Sequence, residues 1–489
     1  MKTRTSRRDF LRVSAGLAAS AAGLGLAACA PAAPPAAPTA QPAAATAAPA
    51  APTEAPAATV APAAATKIDM SILITGETTD MQKNLQPYLD QHPEINLNLI
   101  GVAWDGFDQK TDLLIAGGDP PVIWYAAANR DYIHYAVRDL LADLDPYVER
   151  DKYDLTDFNP VVLKVGYFGG KLVGLPCGAF PTFIVYNKDL FDKAGVAYPT
   201  DTWEDKTWTW DGFVAMAKSL NKPNDANPLE SIWGFGGGWD TRYDTLDYGE
   251  DIFREEDFAL ANAKSTLVTS EGVMAVYQAW QDYIWKYKFT PSPEVVASFG
   301  AVSGQASLFV SGKAAMERGA TWELAGSLPE ITEFKWGIAP FPVNAKDSWR
   351  NLDYTNHWVT FKNKNQDATW ELLKYMQSVE AMKLAIEMQG AGQTNNVTQG
   401  GMVMRNSLLQ AWVDMLAIRS KRTPEEITKL VVKAVDYSHV FCSLATVKWG
   451  EVWDVGMKPE IDKILLNKTT VAEAVQVMDA KTKEILAAA

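Results

Sequence analysis

From residue 67 onward the hydrophobic positions fall into short apolar runs separated by stretches with helical spacing. Ile68 to Ile74 alternates and then runs apolar, as a buried strand does, and Thr75-Gly76-Glu77-Thr78-Thr79 reads as its exit loop. A helix is predicted from about Met81 to His92, a strand over Asn96 to Val102 and a helix over Asp105 to Ala116. Asp119-Pro120-Pro121 then turns the chain into a strand at Val122 to Tyr125. Strand, helix, strand, helix, strand is a βαβ series and implies a largely parallel sheet. Ligands of open α/β sheets sit beyond the carboxyl ends of the strands, which puts Thr75 to Thr78, Trp104 and Trp124-Tyr125 on the ligand side.

The stretch Tyr167 to Gly195 changes character. A Gly169-Gly170 turn leads to an extended Leu172 to Leu175, Pro176 is expected to break it, and a β-rich Phe180 to Tyr186 follows. Asp189 to Ala194 has Leu190, Phe191 and Ala194 on one helical face, with Gly195 as the stop. Thr209-Trp210-Asp211 caps a helix through Leu220, and Ser270-Glu271 opens one to about Tyr287. Phe309 to Met316 runs into a Gly319-Ala320-Thr321-Trp322 turn, Trp358 to Phe361 reads as a strand, and Ala368 to Met388 as one long amphipathic helix. A polar, Gly-broken loop covers Gln389 to Asn396. Thr423-Pro424-Glu425-Glu426 and Thr470 with Glu473 carry capping-box signals, and helices near Trp449 to Leu466 and Thr470 to Leu486 close the chain.

The amino terminus is of another kind. Ser6-Arg7-Arg8-Asp9-Phe10-Leu11 is a twin-arginine pattern, an Ala- and Gly-rich run follows, and Leu26-Ala27-Ala28-Cys29 has the form of a lipobox. The expectation is a signal segment over 1–28, cleaved before Cys29, whose acylated thiol anchors the protein at a membrane face. Ala30 to Thr66 is almost entirely Ala, Pro and Thr, so 29–66 reads as an extended tether.

Composition narrows the function. The net charge is −14, and the first 28 residues hold five cations against Asp9, so the remainder carries −18. So acidic a surface argues against nucleic acid or an anionic membrane surface as the main partner. Cys177 and Cys442 remain once Cys29 is set aside, and spacing does not decide whether they pair. The four histidines are not spaced for a zinc site, and neither a metal nor a cofactor is implied. Nucleophile-elbow, phosphate-loop, zinc-protease and dinucleotide motifs are missing.

Seventeen tryptophans is a high count, and Trp104, Trp124, Trp239, Trp322, Trp358 and Trp449 fall at strand ends or beside glycines. Flat indoles suit the C–H face of a pyranose, while carboxylates and amides bond its hydroxyl rim. Glu77, Asp131, Asp240 and Asn356 are the hydroxyl-binding candidates. Trp203, Trp280, Trp285 and Trp370 read as packing residues, and Lys188 and Arg318 as surface residues.

GKLVGLP followed by YNKDLFDKAGVAYPTDTWED resembles the signature of the family 1 extracellular solute-binding proteins, which includes maltose-binding protein. LLIAGGDPPVIW, FVSGKAAMERGATW and WGIAPFP resemble further segments in the family's order, with Val122 where the family usually has Asp. The resemblance implies an α/β, two-lobe periplasmic-binding-protein type II fold with a cleft between the lobes and a multi-strand hinge. It implies lobe 1 over 67–180 and 341–393, and lobe 2 over 181–340 and 394–489. Trp322 and Trp449, or Trp453 if the alignment slips, are the nearest matches to sugar-contacting aromatics. The implied function is an exported, monomeric, non-catalytic carbohydrate receptor that closes on its ligand and delivers it to an ABC permease with its ATPase. Other readings are a lipid-anchored glycoside hydrolase, which needs two carboxylates across a sugar; an adhesion lipoprotein, which needs a large apolar patch; or a family member that binds a polyol phosphate, a polyamine or iron.

Overall fold

A computed structural model describes residues 67–488, apart from 104–105, 127–131, 238–239, 260, 300–306, 345, 353, 393–400 and 440–443. The signal, lipobox and tether expectations lie outside the described residues, as does Cys442.

The opening βαβ pattern forms as expected. Strands β1 (Ile68–Thr75), β2 (Ile95–Val102) and β3 (Ile123–Ala126) lie parallel, with helices Thr79–Gln91 and Phe107–Ala116 as crossovers. Ile72, Leu73 and Ile74 are fully buried because helices cover both faces of this sheet. A two-stranded hairpin follows, β4 (Tyr167–Phe168) and β5 (Lys171–Leu172), turned by Gly169 and Gly170 at φ of 57° and 79°. Next comes β6 (Gly174–Gly178). Pro176, expected to break the chain, lies inside β6, which is tolerable because β6 is an edge strand with a register shift opposite Asn356/His357.

The second sheet contains β7 (Thr182–Asn187), β8 (Trp233–Phe235), β9 (Ala314–Ala320) and β10 (Trp336–Ala339), in the order β10-β7-β9-β8. Along β7, Phe183 and Val185 enter one apolar core with Phe309, Leu324 and Trp412. Ile184 and Tyr186 enter another, with Trp203, Phe213 and Phe235. Strand alternation thus supplies two cores, one on each face. After β10 come β11 (Asn351–Leu352) and then β12 (Asn356–Thr360). The latter inserts antiparallel between β3 and β6, giving the first sheet the order β2-β1-β3-β12-β6. The chain therefore passes between sheets after Gly178 and again after Ala339. A short parallel pair joins β11 to β13 (Ser438–His439).

Asn187, Thr209, Ser270, Thr423 and Thr470 each accept a backbone N–H as N-caps, and Gly195 ends its helix at φ 67°. Three expectations are corrected. The long helix over Ala368 to Met388 is two helices, Gln366–Met376 and Val379–Gly390, because Ser378 Oγ accepts from the Ala381 N–H at 3.1 Å and starts a second one. Gly319 and Ala320 complete β9 instead of turning, and Thr321 begins the helix Thr321–Ala325. The helix after Trp449 widens into π-turns over Val452–Met457 before resuming at Lys458–Leu465.

Candidate functional site

Aromatic rings from five distant segments form one wall. Tyr354, just before β12, takes Trp322 edge-on at 5.4 Å and Tyr243 at 6.2 Å. Trp322 in turn meets Phe180, on the first crossing, at 6.1 Å. Tyr243 lies nearly parallel to Trp449 at 5.9 Å, and the Trp449 indole N–H donates to the Tyr243 hydroxyl at 3.3 Å. Phe253 and Trp453 pack on Trp449 at 6.1 Å each. Segments after both crossings between the sheets, and the helix that begins at Trp449, thus contribute rings.

Charge is fixed beneath these rings. Asp240 accepts two bonds from Arg242, at 2.8 and 2.7 Å, and a third from the Tyr354 hydroxyl at 3.3 Å. Arg318, expected at the surface, is 3% exposed, lies below the Tyr354 ring and reaches Asp244 at 3.3 Å and Asp247 at 3.1 Å. Its position on β9, a strand covered on both faces, explains the burial. Desolvation pushes the Asp247 carboxyl up to about 6 and Asp244 well above the carboxylate range, against the pull of Arg318. The two guanidiniums nearest the wall are therefore already matched by carboxylates.

A cavity of about 580 Å³ opens beside the wall at Thr355, the residue after Tyr354. It is bounded by segments packed on the first sheet (Tyr132, the helix Pro160–Val165 and the β4–β5 hairpin), by Glu255 and Phe258, and by Ser438 and His439 of β13. His439 is held by Trp349, stacked at 4.0 Å, and by Asp251 at 3.0 Å from Nε2. Thr355 immediately precedes β12, whose amino end lies beside the carboxyl end of β3, the edge where an α/β sheet receives ligands.

Of the sequence-predicted residues, Asp240, Trp322 and Trp449 converge here, linked by Tyr243 and Tyr354; Trp322 is half-buried, whereas Trp449 is 4% exposed and belongs to the core behind the wall. Asn356 lies next to Thr355 and donates to the Tyr125 hydroxyl from a buried position. Glu77 is exposed at the carboxyl end of β1. Trp124 and Trp358 are corrected: they are 1% and 0% exposed in the core of the first sheet. Trp124 donates to Thr111 Oγ1 at 2.9 Å and packs on Phe107, while Trp358 packs on Tyr125. Cross-strand pairing between β3 and β12 accounts for both. Trp104, Asp131 and Trp239 lie outside the described residues. Trp203, Trp280 and Trp370 are fully buried, as packing requires. Tyr243, Tyr354 and Arg318 carried no local signal, since their partners are distant in sequence. Cys177 is buried, and burial pushes its thiol up.

Residues 75–383 match the family of bacterial extracellular solute-binding proteins. The chain belongs to that family. A binding protein of Brucella abortus strain 2308 is 25% identical to this solute-binding protein over 300 residues, 58% of this chain and 65% of the relative. The chain thus spans about two thirds of the length of the curated relatives it matches. An ABC substrate-binding protein of Listeria monocytogenes, solved in complex with cycloalternan, superposes with a TM-score of 0.68 at 23% identity, covering 86% of this chain and 98% of that one. The Mycobacterium tuberculosis protein UgpB, solved with glycerophosphocholine, gives 0.64 at 16% identity, over the same shares. The solute-binding protein therefore has the two-lobe type II fold expected from its sequence. No described helix is long and apolar enough to cross a membrane.

Proposed function

We propose that this solute-binding protein captures a carbohydrate, an oligosaccharide or a glycoside, by closing its two lobes and delivers it to the permease of an ABC importer and its ATPase. The observation that carries this reading is the cluster of Phe180, Trp322, Tyr354, Tyr243 and Trp449, reached through Tyr354 from a cavity that its neighbour Thr355 lines. The half-buried rings of Trp322 and Tyr354 offer stacking faces for pyranoses, with the buried Tyr243, Phe180 and Trp449 packed behind them, and Asp240 and Arg242 offer polar edges for hydroxyls. The solved Listeria neighbour with bound cycloalternan supports the same ligand class.

A polyol phosphate is the second reading, favoured by the Mycobacterium neighbour with glycerophosphocholine. It is disfavoured because Arg318 and Arg242 already face carboxylates, which leaves an added phosphate unbalanced. We assign the lobes to 67–180 with 341–393 and to 181–340 with 394–489, and keep Trp104, Asp131, Trp239 and Glu77 as ligand-binding candidates. Cys29 is the proposed lipidation site, holding a monomeric receptor at the outer face of the membrane. The protein is proposed to turn over nothing.

Binding to a ligand that touches both lobes favours closure by the difference in affinity between the two states. A micromolar Kd corresponds to about −8 kcal/mol. Titration of the purified protein with glycans, spermidine and glycerol phosphodiesters, followed by tryptophan fluorescence, tests the reading. Saturable responses to glycans alone support it. Response to a phosphodiester or polyamine with none to any glycan overturns it, and release of reducing ends on long incubation overturns the purely binding role.

A further inference from the structure

The cavity and the aromatic wall differ in chemistry. On the described surface the first-lobe side of the cavity is Ile133, Val162, Val165 and Phe168, and the second-lobe side adds Phe258 and Leu444. Its polar side chains are Thr355, Ser438, His439 with Glu255 at 4.0 Å from it, Lys164, and the hydroxyls of Tyr132, which bonds the Val165 carbonyl, and of Tyr167. His439 already bonds Asp251, and Lys164 is exposed. A pyranose placed against Ile133, Val162, Val165 and Phe168 would turn hydroxyls towards side chains that cannot bond them, at a cost that its C–H groups do not offset. An alkyl or aryl group meets no such penalty there. About 580 Å³ is within the range of sites that take a drug-sized molecule, room for more than one ring.

We propose that the ligand is a glycoside with an apolar aglycone: its sugar stacks on the half-buried rings of Trp322 and Tyr354, and its alkyl or aryl group enters the cavity past Thr355. This deepens the carbohydrate reading and rests on it. Thr355 is the junction, since its neighbour Tyr354 belongs to the wall while Thr355 itself lines the cavity. The sugar supplies orientation through polar edges, and the aglycone supplies burial against both lobes at once, so lengthening it should favour closure.

The test compares methyl, octyl and phenyl glycosides of one sugar, below their micelle concentrations, with the corresponding free oligosaccharide and with octanol, on the full-length protein. The expected result is affinity greater for octyl or phenyl than for methyl glycoside by on the order of tenfold or more. Phe258→Asn, at a half-buried and so tolerant position, should remove most of that gain and leave the methyl glycoside unchanged. Equal affinities across the series would overturn the proposal and leave carbohydrate capture standing. Octanol binding as tightly as the octyl glycoside would also overturn it, because the sugar would then contribute nothing. Absence of binding by every glycoside and every glycan would bring down the carbohydrate reading with it.

Discussion

The Tyr354 hydroxyl donates to Oδ2 of Asp240 at 3.3 Å, joining the segment that leads into the first sheet to the loop that follows β8 of the second. Asp240 is held from its other side by Arg242, so the phenol has a fixed acceptor. Its ring is held in turn by Trp322 and Tyr243. One hydrogen bond therefore sets the position of the ring at the centre of the wall.

Replacing Tyr354 with Phe keeps the ring and loses that bond. A hydrogen bond to a charged acceptor is worth about 1.5–3 kcal/mol. Solvent at this half-buried position recovers part of it, and ligand affinity should fall about fivefold to tenfold. Fluorescence titration of the variant with a responding glycan, beside a thermal melt within a few degrees of the parent, checks the effect. An unchanged affinity would remove Tyr354 from the site.

Trp322→Ala and Trp124→Ala should behave oppositely. Trp322 is half-buried on the wall, so its loss should weaken ligand binding tenfold or more at modest cost to folding. Trp124 is enclosed in the first sheet's core, so its loss should cost about 3–5 kcal/mol of stability. Urea unfolding and ligand titration on the same two variants separate the roles.

That contrast marks where the sequence was legible. The βαβ series, the caps at Thr209, Ser270 and Thr470 and the stop at Gly195 each depend on residues within a few positions, so local pattern reported them. Trp124 and Trp358 looked alike in sequence to Trp322, because neighbouring glycines and strand ends do not reveal which face of a sheet is covered. Only the insertion of β12 between β3 and β6 buries them. Arg318 was misplaced for the same reason, since the carboxylates that hold it stand more than seventy positions earlier. Ser378 divided a helix that apolar periodicity alone had joined.

Arg318 is the counter-ion of two buried aspartates. Arg318→Leu leaves Asp244 and Asp247, 0% and 2% exposed, without it, and breaking such a group by removing one partner costs about 3–5 kcal/mol. The denaturation midpoint should fall accordingly. Adding Asp244→Asn and Asp247→Asn to the leucine variant should recover most of the loss, because the uncompensated charge is then gone. Failure of that triple variant to recover would show that Arg318 acts through packing under Tyr354 instead of through charge.

His357 should make the protein sensitive to mild acid. It lies on β12, 1% exposed, with Nε2 donating to the Val162 carbonyl at 3.1 Å, and burial lowers its pKa from 6.5 to about 4. The unfolded chain then binds the proton more readily than the folded one between those values. Stability is fully present above pH 6.5 and is lost as pH falls towards 4, by roughly 3 kcal/mol. Asp247 opposes this. Its folded pKa is raised to about 6, so its contribution is present below about 4 and lost as pH rises through 6. The net slope of the parent protein mixes the two signs, whereas the difference between the parent and His357→Asn isolates the histidine. Urea midpoints measured at pH 7.5, 6, 5 and 4.5 should show the asparagine variant losing relatively less stability on acidification. Parallel curves would mean that His357 remains neutral in both states or charges in both.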